Sequence, residues 1–387
     1  LELGILVLLI LWLIDITRLR DSPLRVASFQ LRRGQSLTMA GPLGWAVLSF
    51  FVVAILSLIK ASNKYEGVMS IYQLGAGIGL FFLVVNNVKD KKGANEIVLA
   101  MIASGVVACF FSLYENRGIR FGTSRLVYTS TFGNPIFFAQ YLTMAILLSV
   151  AKSLQKNGVS RRISRVFFGL AALLMLVFLV LTRSRGAYLG LIFAFLYSFI
   201  ILMLRRAKKT RNILIGLLIV SLAASGFGLM LAARKGEGQE KIKLRNLMRV
   251  YLWKSALGMV KDNPLLGVGV GNFKIKYPLY RSQEEREVTP KGVTYSKAHN
   301  DYLQMWAEMG TLGLICFFWI LFSLVFLRRE SPLLGDETLQ AKGPYRHLSL
   351  GLSAALIALL VQFFFNPLFY IPTSGMCFWV LLGLIAL

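Results

Sequence analysis

The residues best suited to chemistry fall in one stretch, Lys297-Ala298-His299-Asn300-Asp301-Tyr302-Leu303-Gln304-Met305-Trp306-Ala307-Glu308-Met309-Gly310. His299 is one of only two histidines in the chain. Imidazole is the side chain whose ordinary pKa lets it take up and return a proton near neutrality. The stretch closes a long polar segment and runs straight into an apolar one, so it puts a titratable group at the water-facing mouth of a membrane helix. Projected at about 100° per residue, His299, Tyr302, Leu303, Trp306, Gly310 and Gly313 share one side. Asp301, Gln304 and Glu308 line the other, so His299 and Glu308 are not expected to act as an acid–base couple on one surface. Two readings of this stretch stand. His299 is a proton acceptor, or it is an interfacial polar residue and Glu308 an interhelical hydrogen-bonding group.

Three further clusters carry candidate residues. Thr182-Arg183-Ser184-Arg185-Gly186 forms a tight turn between two apolar runs. Arginines at span edges usually snorkel to headgroups. Here two of them flank a helix start that Ser184 can cap, and the partial positive charge of that helix end would complete an anion site. The second cluster is a basic helix over 241–261, with Arg245 and Arg249 one turn apart. Most of its charges suit a solvated face, but Arg249 lies beside Met248 and Tyr251 and is expected to point toward the bundle. The third is Thr131-Phe132-Gly133-Asn134-Pro135-Ile136-Phe137-Phe138-Ala139-Gln140-Tyr141-Leu142, where Asn134 is a natural helix cap, Pro135 a natural first helical residue, and Gln140 inside the span a candidate to line a cavity. No Asp-x-Asp, no His-Glu-x-x-His and no Cys or His pair occurs outside the spans, so the sequence suggests no metal site. Stabilisation of a leaving anion would then fall to arginines.

The elements that must position these residues are helices in a membrane. Hydrophobic residues make up 56% of the chain and the mean hydropathy is +0.64, which indicates a polytopic membrane protein. The net charge of +25 comes without a nucleic-acid motif, so we expect no nucleic-acid partner. Basic loops beside membrane lipids and a basic ligand site account for it. Cys109, Cys316 and Cys377 all fall inside expected spans, which argues against a disulfide.

We count eleven apolar segments: 1–16, 42–60, 67–86, 94–114, 134–151, 164–182, 186–204, 211–233, 299–327, 347–365 and 373–387. The expected fold is an all-α polytopic bundle of at least eleven transmembrane helices with one large external loop. Helices 1–8 occupy 1–233, the loop 234–298, and helices 9–11 the remainder. Lys and Arg concentrate in loops 17–41, 87–93, 152–163, 205–211 and 328–346, which the positive-inside rule assigns to the cytoplasm. The loop 234–298 then lies outside, and the odd span count with Leu1 outside predicts at least one helix upstream. The first apolar run lacks a basic leader and a cleavage site, and so is not read as a signal peptide.

Within the external loop, Leu244, Leu247, Met248, Tyr251, Leu252, Ser255 and Met259 recur at helical spacing, and Asp262-Asn263-Pro264 ends that helix. Gly267-Val268-Gly269-Val270-Gly271 follows. It lacks the strand, helix and Lys-Ser/Thr context of a nucleotide loop, so close backbone packing against the bundle is expected. Residues 281–297 read as a charged, irregular, mobile loop.

At these residues the chain resembles the O-antigen ligase/polymerase superfamily of integral-membrane glycosyltransferases. The resemblance rests on Ser130-Thr131-Phe132-Gly133-Asn134-Pro135, on Ser184-Arg185-Gly186, and on Arg249-x-x-x-Trp253 with Asn263-Pro264-Leu265-Leu266-Gly267-Val268-Gly269. Ala298-His299-Asn300-Asp301-Tyr302-Leu303 with Glu308-Met309-Gly310 completes it. It covers about 130 to 325; the N-terminal spans match in hydropathy alone. It implies a multi-pass protein of the bacterial cytoplasmic (inner) membrane with its active site on the periplasmic side. It also implies metal-independent, cofactor-free transfer from an undecaprenyl-diphosphate-linked glycan donor. The acceptor is lipid A–core in ligases, a second lipid-linked glycan in polymerases, and a protein hydroxyl in related oligosaccharyltransferases. The family's essential residues map onto Arg185, Arg249 and His299 as catalytic groups, with Arg183, Arg245, Tyr302, Trp306 and Asn134 as expected substrate contacts. An anionic-solute transporter is the rival from another class. It would need charged groups deep in spans and broken helices, for which the sequence offers only Gln73 and Gln362. An inactive assembly scaffold is the third reading.

Overall fold

The computed structural model describes residues 41–88, 90–116, 128–155, 161–204, a few positions between 212 and 223, 239–289, 293–330 and 346–387. These residues form α1 (Pro42–Ser57), α2 (Lys64–Asn87), α3 (Lys91–Asn116), α4 (Pro135–Ser153), α5 (Arg161–Thr182) and α6 (Arg185–Leu204). The segment between α6 and the next apolar helix supplies α7 (Gln239–Asp262), α8 (Phe273–Tyr280) and α9 (Gln283–Val288). It is followed by α10 (Asp301–Glu330), α11 (Arg346–Phe363) and α12 (Pro372–Ala386). No strand occurs among the described residues.

Seven helices among the described residues are long and apolar enough to cross a membrane: α1 through α6, and α10 over Asp301–Leu324. The apolar helices His347–Phe363 and Pro372–Ala386 are shorter. Of the eleven expected segments, 1–16 lies outside the described residues and 211–233 almost entirely so.

Local sequence starts these helices where capping chemistry permits. The Asn134 side chain accepts from Ile136 N at 2.8 Å and Pro135 opens α4, while Asn63 accepts from Glu66 N at the head of α2. Residues expected to be irregular fold instead into α9. Ser282 accepts from Glu285 N at 3.2 Å, and Glu285 turns its side chain inward, where it accepts from the Tyr277 hydroxyl and faces Arg281. An isolated helix this short would not hold; the inward Glu285 ties it to α8.

Burial separates the centre of the bundle from its rim. The α4 span is 72% buried, whereas that of α5 is 22% buried and turns Phe167, Leu170, Leu173 and Val177 outward. A helix apolar on its outer face suits a lipid surround. Around α4 pack α3, α5, α6 and α11, while α10 lies along α1 and α12 along α2. Phe317 of α10 meets Phe50, Phe369 and Phe378 in tilted, edge and stacked pairs with centroids 5.7–6.0 Å apart, tying α1, α10 and α12 together.

Helix α10 departs from expectation in two ways. It starts at Asp301, so His299 precedes it and lies on neither helical face. It also breaks at Gly310, whose φ of 67° and ψ of −170° belong to a region open essentially to glycine alone; Gly313 therefore does not continue the phase of Tyr302 and Trp306. The loop after α7 is threaded into this break. Val268 N and Gly269 N donate to Ala307 O and Glu308 O at 2.8 and 3.0 Å, and Thr311 N and Leu312 N donate to Pro264 O and Leu265 O at 2.8 and 3.3 Å. Both broken helix ends are thus satisfied by one stretch of backbone, residues 264–269. The expected close packing of the glycine loop is what permits it, because a Cβ on Gly267 would overlap the Glu308 backbone and one on Gly310 the Leu265 carbonyl.

Gly310→Ala is expected to destabilise the protein by about 3 kcal/mol or more, combining backbone strain with loss of the interleaved hydrogen bonds. Gly133→Ala, also at positive φ but with open space around its Cβ position, should cost about 1 kcal/mol. Thermal unfolding of both variants in detergent measures the difference, and equal midpoints would contradict the threaded break.

Candidate functional site

Positive backbone φ at a non-glycine residue is costly and concentrates at sites where the surroundings over-determine it. Among the described residues only Ser130, Arg183 and His299 adopt it. Each falls in one of the stretches singled out by sequence.

His299 is held from both sides. Ala298 N donates to Gln304 Oε1 at 2.6 Å, and the Asn300 side chain accepts from Leu303 N at 3.1 Å, capping α10. The imidazole between them is half-buried. Burial, and secondarily the charge of Arg249, hold its pKa below the ordinary histidine value. Arg249, half-buried on α7, is therefore close enough to His299 to disfavour the imidazolium. The expectation that Arg249 faces the bundle fits this placement.

Arg183 and Arg185 sit at the α5–α6 turn. Arg183 N donates to Val180 O at 3.1 Å, closing α5 in the left-handed conformation. Arg185 opens α6 and is exposed. The next residue, Gly186, lies against Asn366, and a Cβ there would sit 2.8 Å from the Asn366 amide nitrogen.

What joins these pieces is a turn the sequence reading did not single out, Phe364 to Tyr370, between α11 and α12. Phe364 packs edge-on against Trp253 of α7 at 5.9 Å. Asn366 touches the arginine turn at Gly186. Leu368 N and Phe369 N both donate to Asp301 Oδ2, at 2.7 and 2.8 Å. The Lys297 ammonium rests on the Tyr370 ring, 4.7 Å from its centroid. The arginine turn, the Arg249 helix and the His299 segment thus all meet one short connection. A carboxylate at the edge of an apolar run was the available signal for Asp301; Asn366-Pro367 between two aromatic-rich runs was the signal for the turn.

The remaining expected contacts are placed as follows. Tyr302 donates its hydroxyl to Leu360 O at 2.8 Å and stacks on Phe318, so it fastens α10 to α11. Trp306 donates from Nε1 to Thr311 Oγ1 at 3.0 Å, bracing the Gly310 break. Asn134 is engaged in capping α4. The Arg245 side chain lies outside the described residues. Glu308, 1% exposed, accepts from Gly271 N, Phe273 N and Gln304 Nε2 at 3.0, 3.2 and 2.7 Å, which matches the hydrogen-bonding reading.

In chemical terms the arrangement offers guanidinium groups, the positive end of a long helix and an imidazole kept neutral near pH 7. This is a set suited to stabilising a departing anion while removing a proton. Residues 170–318 match the protein-family model described as O-antigen ligase. That match contains Arg183, Arg185, Arg249 and His299, and ends before the Phe364–Tyr370 turn. No individually curated protein matches the chain.

With only two histidines present, His299 can be followed by NMR of imidazole-labelled protein against a His347→Gln control. Its titration midpoint is expected below the ordinary value of about 6.5. Arg249→Gln should raise the midpoint without restoring it fully, because burial is the larger cause. A midpoint at or above the ordinary value, unmoved by Arg249→Gln, would contradict the placement.

Proposed function

We infer that this chain, whose residues 170–318 match the O-antigen ligase family model, transfers a glycan from a polyprenyl-diphosphate-linked donor to an acceptor hydroxyl at the external face of the bacterial cytoplasmic membrane. It is a multi-pass membrane protein of the ligase/polymerase glycosyltransferase type. The observation that carries the finer reading is the meeting of the Arg183–Gly186 turn, the Arg249 helix and the His299 segment on one connection, Phe364 to Tyr370.

The step runs as a single displacement. The acceptor oxygen forms a bond to C1 of the first sugar as the bond from C1 to the phosphate oxygen breaks. The bonding pair leaves with the diphosphate, and the hydroxyl proton passes to the neutral imidazole of His299. Arg185 and Arg249 meet the diphosphate with charge-assisted, bidentate-capable hydrogen bonds that strengthen as charge develops on it. Inversion at C1 follows. Lipid A–core is the proposed acceptor; a second lipid-linked glycan or a protein hydroxyl would make the same site a polymerase or an oligosaccharyltransferase.

The direct test incubates purified protein with a diphosphate-linked glycan and each acceptor class, in chelator, followed by mass spectrometry. Transfer to one acceptor is expected, with release of the polyprenyl diphosphate. Arg185→Ala, Arg249→Ala and His299→Ala should each lower the rate by at least about 100-fold while the protein stays in the membrane. Full activity in all three variants would reject the assignment.

A further inference from the structure

The Phe364–Tyr370 turn has its own polar chemistry. Asn366 is 4% exposed, and its backbone is fully engaged: Asn366 N donates to Gln362 O and Asn366 O accepts from Leu368 N, both at 3.0 Å. Its side-chain amide, in contrast, makes no hydrogen bond among the described residues. That amide nitrogen lies directly over Gly186, in the first turn of the 20-residue helix α6. The amide is held at the end of a helix where backbone N–H groups and the dipole already favour an anion, and its polar atoms are not among the fully buried unpartnered ones, so they keep contact with the surroundings. The preceding residue, Arg185, opens the same helix and its side chain is exposed.

The amide is held in place from the other side. Asp301, 1% exposed, receives both Leu368 N and Phe369 N on one oxygen, while its second oxygen has no hydrogen-bond partner. Leu368 N is shared between the Asp301 carboxylate and Asn366 O. The residue two places after His299 therefore fixes the turn that presents Asn366 to the arginines.

We propose that Asn366 is a direct ligand of the donor's diphosphate, donating from its amide to a phosphate oxygen beside Arg185, and that Asp301 is the positioning residue that sets Asn366 there. This rests on the glycosyltransferase reading and adds to it the residue that selects a diphosphate among anions. Arginine pairs with any oxyanion, whereas an uncharged amide fixed at one point asks for an acceptor oxygen at that point. Asn366 lies outside the residues matched by the family model. Gly186 serves the same end: any Cβ there would press on the amide and displace it.

The test is equilibrium binding of a fluorescent polyprenyl diphosphate, carrying no glycan, to the full chain in lipid nanodiscs. Asn366→Ala is expected to weaken binding about tenfold, in line with loss of one hydrogen bond to a charged group. Asn366→Asp, nearly identical in shape but an acceptor in place of a donor, should weaken it further, and it serves if Asn366→Ala fails to fold. Gly186→Ala, which alters no polar group, should act like Asn366→Ala. For Asp301, the double variant Asp301→Ala with Asn366→Ala should bind no more weakly than Asp301→Ala alone, because both changes remove one contact; additive losses would overturn the positioning role. Wild-type affinity in Asn366→Asp and Gly186→Ala would overturn the proposal even if glycan transfer is confirmed. Asn366-dependent diphosphate binding with no transfer to any acceptor would keep the site and reject the glycosyltransferase reading.

Discussion

The structure depends on the repair of one broken helix. Helix α10 opens at Gly310, about 13 Å along its axis at 1.5 Å per residue from Asp301, in a segment apolar enough to cross a membrane. Unpaired N–H and C=O groups in such surroundings cost several kcal/mol each. Backbone from Pro264 to Gly269 supplies partners on both sides of the break. The exchange binds the α7–α9 region to the bundle at a fixed register, since moving the loop by one residue would bring a side chain where only Gly267 fits.

Other contacts reinforce that register. Asn63 and Asn272 exchange hydrogen bonds, Asn63 N to Asn272 Oδ1 at 2.7 Å and Asn272 Nδ2 to Asn63 O at 3.1 Å. Lys274 pairs with Glu66 at 2.7 Å, and Glu308 gathers Gly271 N and Phe273 N. With the loop fixed, α7 lies against α10, and Arg249 comes near His299. The candidate site thereby draws on parts far apart in sequence: the α5–α6 turn, α7, the start of α10, and the α11–α12 turn. Its two left-handed residues, Arg183 and His299, are tolerable because their neighbours are hydrogen-bonded into the frame.

Much of this was legible in the sequence. Hydropathy showed the apolar helices, because a spanning helix must be apolar over most of its length. The α7 helix and its end at Asp262-Asn263-Pro264 followed from spacing and from the restriction before proline. Close packing of the glycine loop followed from the absence of any nucleotide-loop context. The rest was hidden for physical reasons. A helical projection assumes an unbroken helix, so it assigned His299 to a face that does not exist and carried Gly313 across a break. The α9 helix is set by one inward carboxylate, Glu285, which composition reads as part of a charged loop. The Asp301 clamp joins residues 67 and 68 positions apart, a pairing that no local pattern encodes.

In the proposed function, guanidinium groups from α6 and α7 and the imidazole before α10 surround one diphosphate at one end of the bundle. The most direct measurement is an experimental structure of the chain in lipid with a diphosphate-linked glycan bound. The proposed arrangement places the diphosphate between Arg185 and Arg249, with the first sugar's C1 turned toward His299. A diphosphate seated elsewhere in the bundle, or His299 directed away from the sugar, would contradict it.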